Sequence, residues 1–258
     1  MQKYGVLVIS HGSRDEGWVR LVDEAVAGVN LDPNIPIYAS YLELVEGRLI
    51  QDGITSLEAQ GVTDIIVVPL FVSSGSTHID EISWALGVIP EPQLETDLEP
   101  FAIQARIHFT SPIDDDPVIA DILWDKLKEL TAEPKKEIVL VVGHGSKEDG
   151  FHQKWRTGLE QLAARVQRLG GFAGADVAML LPDELRDRVQ AVTADNPDYA
   201  VIVAPLFLSE GYFTRTVIPS RLEGCTYRYN GQALLPSPLI SRWIERQIAA
   251  GIQTAYRG

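Results

Sequence analysis

The chain has 258 residues, 45% hydrophobic and 22% charged, a globular composition with room for one or two domains. Its 36 acidic residues outnumber 22 basic ones for a formal charge of −14, which argues against a nucleic-acid or anionic-membrane binder and leaves a cationic partner open. Cys225 stands alone and makes no internal disulfide, the longest strictly apolar run (199–208) is half of the about 20 residues a membrane span needs, and Met1-Gln2-Lys3-Tyr4 has no signal-peptide layout, so a cytoplasmic protein is expected.

Along the chain, short β-branched runs alternate with segments of helical period. Residues 5–10 are continuously apolar and rich in Val and Ile, the pattern of a strand buried on both faces. Val19, Val22, Ala25, Val26 and Val29 recur at three and four positions and predict an amphipathic helix. Residues 35–42 alternate as a strand, 49–60 read as a helix stopped by Gly61, and 65–71 as another buried strand. A helix over 78–86 follows, then a surface loop over the proline-rich 90–100, a strand over 105–110 and a helix over 114–130 opened by three aspartates and Pro117. The order predicts a parallel sheet with helices on both faces.

This plan occurs twice. Val6-Leu7-Val8-Ile9-Ser10-His11-Gly12-Ser13 aligns with Val139-Leu140-Val141-Val142-Gly143-His144-Gly145-Ser146, Pro69-Leu70-Phe71 with Pro205-Leu206-Phe207, and Ser111-Pro112 with Ser237-Pro238, in the same order. The expected architecture is α/β, with two tandem flavodoxin-like domains, 1–131 and 132–258, each a four-stranded parallel sheet. The later strands of the second are placed at 178–181, 200–208 and 226–234.

In open parallel sheets, ligands bind beyond the carboxyl ends of the strands, at the switch point of strand order. With order 2-1-3-4, the first half brings three groups there: Ser10-His11-Gly12-Ser13-Arg14, Glu43, and Ser73-Ser74-Gly75-Ser76-Thr77-His78. Two imidazoles beside a carboxylate suit Fe²⁺, Co²⁺, Ni²⁺ or Zn²⁺, or could accept protons near neutral pH. Each has an ordinary alternative: His-Gly-Ser as a tight turn, His78 as a polar residue at a helix start, and Glu43 as a carboxylate near a helix start. The second half keeps His144 but sets Thr214 opposite His78 by direct alignment, so the paired-histidine site belongs to the first domain, and His144 and His152 are expected to be structural. His108 lies inside a strand, and the chain has no Gly-x-Gly-x-x-Gly after a strand, no phosphate-loop lysine, no Gly-x-Ser-x-Gly and no His-Glu-x-x-His.

The strand running into His11-Gly12-Ser13-Arg14-Asp15, Tyr41-Leu42-Glu43, Pro69-Leu70-Phe71 with Gly75 and His78, and the Ser111-Pro112 turn resemble the sirohydrochlorin chelatases, the class II, CbiX-type cobaltochelatases and ferrochelatases. The resemblance covers essentially the whole chain as two tandem family domains, like the long form of these enzymes. It implies a lyase that inserts Co²⁺ or Fe²⁺ into sirohydrochlorin on the way to cobalamin or sirohaem. His11 and His78 would then bind the metal and help remove pyrrole protons, with Glu43 assisting. No cofactor is expected beyond the substrate ion, with Ni²⁺ or Zn²⁺ as surrogates. Because the ring is a polycarboxylate, Ser10, Ser13, Arg14, Ser73, Ser74, Gly75, Ser76 and Thr77 are the expected substrate-binding groups. One spacing differs: the family usually has Gly-x-His, whereas Gly75-Ser76-Thr77-His78 is one residue longer. A monomer with intramolecular pairing of its two domains is expected. The same crevice would also serve a metal or tetrapyrrole carrier without turnover, while a phosphate-ester enzyme with a nucleophilic His11 lacks its Arg-His-Gly pattern.

Overall fold

The structure is a computed structural model that describes residues 2–256; the extreme ends of the two expected domains, 1 and 257–258, lie outside the described residues. The elements in chain order are β1 (Tyr4–Ser10), α1 (Glu16–Ala27), β2 (Ile37–Tyr41), α2 (Ile50–Ala59), β3 (Asp64–Pro69), α3 (Thr77–Ala85), β4 (Arg106–Phe109) and α4 (Pro117–Leu127). They continue with β5 (Glu137–Gly145), α5 (Asp149–Gly170), β6 (Gly174–Leu181), α6 (Leu185–Asp195), β7 (Ala200–Pro205), α7 (Ile218–Arg221) and α8 (Pro238–Ala255).

The first sheet has the expected order β2-β1-β3-β4, all parallel. Its central strands are apolar on both faces because both faces are covered: Val6 to Ile9 and Ile65 to Val68 are buried. On one face, Leu7, Ile9, Ile65 and Val67 pack against Ile50, Ile54 and Leu57 of α2 and Ile82 of α3. Helix α1 starts where Asp15 accepts from the Gly17 and Trp18 amides, and it buries Val22, Ala25 and Val26. Helix α4 begins at Pro117, capped by Asp116, rather than at 114, because Asp114 has φ 46°, which no helix accommodates.

The second sheet is β6-β5-β7, three parallel strands where four were expected. Of 226–234, only Arg228 joins it, through its amide to Val201 O (2.8 Å) and its carbonyl to the Val203 amide (3.0 Å). Beyond it the chain turns at Asn230 and Gly231, the latter at φ 72°, and Asn230 accepts from the Gln232 amide. The Gln232 amide is thus taken by the turn and not by a neighbouring strand.

The chain divides into two compact units, one running to Ile113 and resuming at Ser237, the other Asp114–Pro236. These differ from the repeat boundary expected at 131/132 by one helix each. In the first unit α8 covers β3 and β4, with Ser241 Oγ donating to Ala25 O at 2.7 Å and Glu245 accepting from the Asn30 amide at 2.7 Å. In the second, α4 lies along α5, with Trp124 against Phe172 and Asp115 paired with Arg165.

Candidate functional site

The site lies at the carboxyl edge of the first sheet, where the register sets Ser10 beside Tyr41 and Ile9 beside Pro69. Strand pairing runs on past β1: the Leu42 amide donates to Ser10 O (2.9 Å) and the Glu43 amide to His11 O (3.1 Å). That close approach requires Gly12, which has φ 101° and where a β carbon would collide with the Glu43 carbonyl oxygen. The exit of β2 is clamped from behind. Buried Tyr41 donates to Asp23 at 2.9 Å, and Arg48 forks onto both Asp23 oxygens at 2.8 and 2.6 Å. Burial works to raise the Asp23 carboxyl, but Arg48 and Tyr41 hold it below its usual range, and burial together with Asp23 pushes the Tyr41 phenol up.

His11 and His78 do meet: their ring centroids are 4.7 Å apart and the planes are inclined at 70°. Each ring has its Nδ1 engaged. His11 Nδ1 lies 3.1 Å from Gly12 O and His78 Nδ1 lies 2.6 Å from Glu81 Oε1. A carbonyl and a carboxylate only accept, so both Nδ1 atoms carry the proton, and both Nε2 atoms keep a free lone pair when the rings are neutral. His11 Nε2 is 3.6 Å from Glu43 Oε1, both side chains being about half exposed. Glu43 lies in the loop ahead of α2, which starts only at Ile50, so it stands beside His11 and not at a helix terminus.

Glu81 and Thr96 are the residues that sequence reasoning missed. Thr96 Oγ1 donates to Glu81 Oε2 at 2.7 Å. Burial acts to raise the Glu81 carboxyl, but the bonds from His78 and Thr96 and the two imidazoles hold it below the ordinary glutamate value. Spacing of three along α3 was a signal for the His78–Glu81 pair; nothing in the sequence pointed to Thr96.

The expected substrate-binding residues are distributed unevenly. Ser10 is fully buried as the last residue of β1, so its hydroxyl is not presented to a ligand. Ser13 Oγ accepts from the Asp15 amide and helps start α1, while Arg14 is exposed on the same loop. Ser73, also buried, accepts from the Gly75 amide at 3.0 Å. Gly75 is buried, and Ser74, Ser76 and Thr77 are half-buried where the loop leads into α3. Arg14, Ser74, Ser76 and Thr77 are thus the accessible members of the set. His108 pairs with buried Asp64 at the opposite, amino end of β3 and takes no part.

The second unit repeats the scaffold with a different outcome. His144 Nδ1 bonds Gly145 O at 3.0 Å, and Gly145 at φ 81° packs against the Leu181 carbonyl as Gly12 does against Glu43. The side chain facing His144 is the ring of Phe213, at 5.0 Å and 89°, and not Thr214, the residue the alignment sets opposite His78. Phe213 stands two residues after Gly211, whereas His78 stands three after Gly75, and Thr214 is buried with its hydroxyl accepting from the Gly211 amide at the start of the π-helical turn Phe213–Val217. His152 is bonded to Ser146 O.

Among the described residues, no three His, Cys, Asp or Glu side chains form a metal cage. The histidine pair could supply two nitrogens to an ion, with the remaining positions left to water and an incoming ligand. A separate cleft of about 470 Å³ runs along β2 and is lined by Asp23, Tyr38, Arg48 and Asp52, whose Asp23–Arg48 pair is already satisfied. Among the described residues, no helix is long and apolar enough to cross a membrane.

Parallel sheets with a facing pair of imidazoles at the strand ends define a protein of the chelatase-like α/β class. The sequence matches the CbiX family over residues 5–130 and again over 138–250, and the chain belongs to that family. A sirohydrochlorin cobaltochelatase of Methanopyrus kandleri is 27% identical over 140 residues, which is 50% of this chain and 97% of that protein. A sirohydrochlorin ferrochelatase of Priestia megaterium is 30% identical over 178 residues, 65% of this chain and 58% of its own length. SirB from Bacillus subtilis, solved with Fe³⁺, shares the fold with a TM-score of 0.70 at 18% identity, over 97% of this chain and 96% of SirB.

Proposed function

We propose that this protein is a lyase that inserts Co²⁺ or Fe²⁺ into sirohydrochlorin, in cobalamin or sirohaem formation. The observation that carries the reading is the pair His11 and His78, each with Nδ1 engaged and Nε2 bare, in a family whose matched relatives are sirohydrochlorin chelatases. Insertion replaces two pyrrole protons by one divalent ion, so the ring must lose two protons while the ion loses water. Each Nε2 lone pair does one task at a time: it binds the ion first, and once the ion passes to the ring it accepts one of the two pyrrole protons. Glu43, 3.6 Å from His11 Nε2, stabilises the imidazolium that results and passes its proton to solvent. Arg14 and the hydroxyls of Ser74, Ser76 and Thr77 hold the carboxylates of the ring, offsetting the −14 of the chain.

The same reading makes 1–131 the copy that carries the site and 132–258 a degenerate copy. The chain acts as a cytoplasmic monomer, and Ni²⁺ or Zn²⁺ serve as surrogate ions. Purified protein mixed with sirohydrochlorin and Co²⁺ should insert metal over many turnovers above the spontaneous rate; a change that stops at one equivalent would make it a carrier instead. His11→Ala and His78→Ala should each lower kcat by about 100-fold or more, the range of a lost general base. His144→Ala should leave it within about twofold, because its ring faces Phe213 rather than a second donor.

A further inference from the structure

Ser111 follows Phe71 by 40 positions, whereas Ser237 follows Phe207 by 30, so the half with paired histidines carries about ten extra residues between matching motifs. They fall in the loop 90–100, and its polar contacts converge on one turn of α3. The Gln93 and Leu94 amides donate to Asp80 Oδ2 at 2.7 and 3.3 Å, and Gln93 Nε2 donates to Asp80 Oδ1 at 2.9 Å. Thr96 Oγ1 donates to Glu81 Oε2 at 2.7 Å, and Glu81 Oε1 receives His78 Nδ1–H at 2.6 Å. A loop that merely covered the surface would leave the Glu81 carboxylate to water. Here it adds a hydroxyl to the carboxylate that holds the histidine.

The two imidazoles are therefore fixed by different means. His11 is held by a backbone carbonyl, which no side-chain substitution removes; His78 is held by Glu81. We propose that Glu81 is a positioning residue for His78: its carboxylate, fixed by Thr96 of the 90–100 strap, keeps His78 as the Nδ1–H tautomer with the Nε2 lone pair free for the substrate ion. Without it the ring populates both tautomers and turns about its side-chain bonds, and each binding event must first select one state. The tautomer claim stands on the hydrogen bonds alone; its kinetic consequence rests on the metal-insertion reading.

The test uses the full chain with ¹⁵N-labelled histidine, at a pH where the rings are neutral, and reads the protonated nitrogen of each ring by long-range ¹H–¹⁵N correlation. His78 should be Nδ1–H in the native protein and in Glu81→Gln, which keeps an acceptor. In Glu81→Ala it should become a mixture or Nε2–H, with His11 unchanged. In the insertion assay Glu81→Ala should lose about 10- to 100-fold in kcat with KM for the ring within about twofold, the range for a lost partner of a metal-binding histidine, and Glu81→Gln should recover most of it. Thr96→Val, which removes only the strap's bond, should give a smaller loss of the same kind, and it carries the test if Glu81→Ala does not fold. Retention of Nδ1–H by His78 in Glu81→Ala overturns the proposal, as does a His11 signal that moves as far as that of His78. If the native protein inserts no metal, the functional reading fails while the tautomer measurement still decides the role of Glu81.

Discussion

Gly12 shows how one residue without a side chain sets the spacing of a site. Its φ of 101° and its contact with the Glu43 carbonyl let the two loops close to within hydrogen-bonding range, which sets Glu43 beside His11. Gly12→Ala should cost about 1–3 kcal/mol of stability through strain and clash, and should lower metal insertion by separating Glu43 from His11. Gly145→Ala meets the same strain at φ 81° in the second unit, and should cost stability while leaving insertion intact, as melting curves and turnover will check. A second single-residue device lies at the amino end of the first sheet. Asp64 is fully buried and receives bonds from His108 (3.0 Å), Arg106 (2.9 Å) and Thr63 (2.7 Å). Burial raises its carboxyl, but these bonds and the Arg106 charge win and hold it below the ordinary aspartate value. A lowered folded value means that the carboxylate contributes stability above the unfolded value of about 3.9 and loses it as pH falls through the folded value. Asp64→Asn should therefore destabilise the protein at neutral pH, and the deficit should shrink below about pH 4, which denaturant midpoints measured across pH will show.

At the scale of elements, α8 is the clearest case of a helix whose role its sequence position conceals. It buries Ile240, Trp243, Ile244 and Ile248, and Gly251 lets it lie on the sheet: a β carbon there would stand 2.6 Å from Ile66 Cγ2 and 3.2 Å from Thr110 Cγ2. Gly251→Leu should lower the stability of the first unit by about 1–3 kcal/mol, the cost of overpacking, seen as a fall in its melting temperature. What could be read beforehand was what a few neighbouring residues encode. The strands β1, β3, β5 and β7 are local apolar runs, and the loops at their ends carry His11 and His78, so the histidine pair followed from strand order alone. What stayed hidden depends on contacts distant in sequence. The fourth strand of the second sheet fails because Asn230 and Gly231 turn the chain away after one bridge. Phe213 replaces Thr214 because Gly75 and His78 are three positions apart and Gly211 and Phe213 two, a difference that a gapless alignment cannot accommodate. Thr96 reaches Glu81 from 15 residues away, through a loop with no periodic pattern.

At the scale of the molecule, the repeat in the sequence and the units in space are cut in different places. The second unit is one continuous segment, Asp114–Pro236, whereas the first needs its ends from both sides of that segment. A continuous segment with its own core should fold by itself. Leu140, Val142, Ala178, Leu180, Leu185 and Val203 belong to one buried cluster lying wholly within it. Residues 114–236 produced alone should therefore unfold in one cooperative transition. A chain ended at Pro236 keeps His11, Glu43 and His78 but loses α8 from the first unit. Burying each of Ile240, Trp243, Ile244 and Ile248 stabilises by about 1.5–3 kcal/mol, and four such side chains amount to most of a domain's typical net stability of about 5–15 kcal/mol. Calorimetry of that truncated chain should show one transition, coincident with that of 114–236, and metal insertion should be lost although every site residue is present. Two retained transitions, or insertion at the native rate, would mean that α8 is dispensable and that the first unit is complete at Ile113.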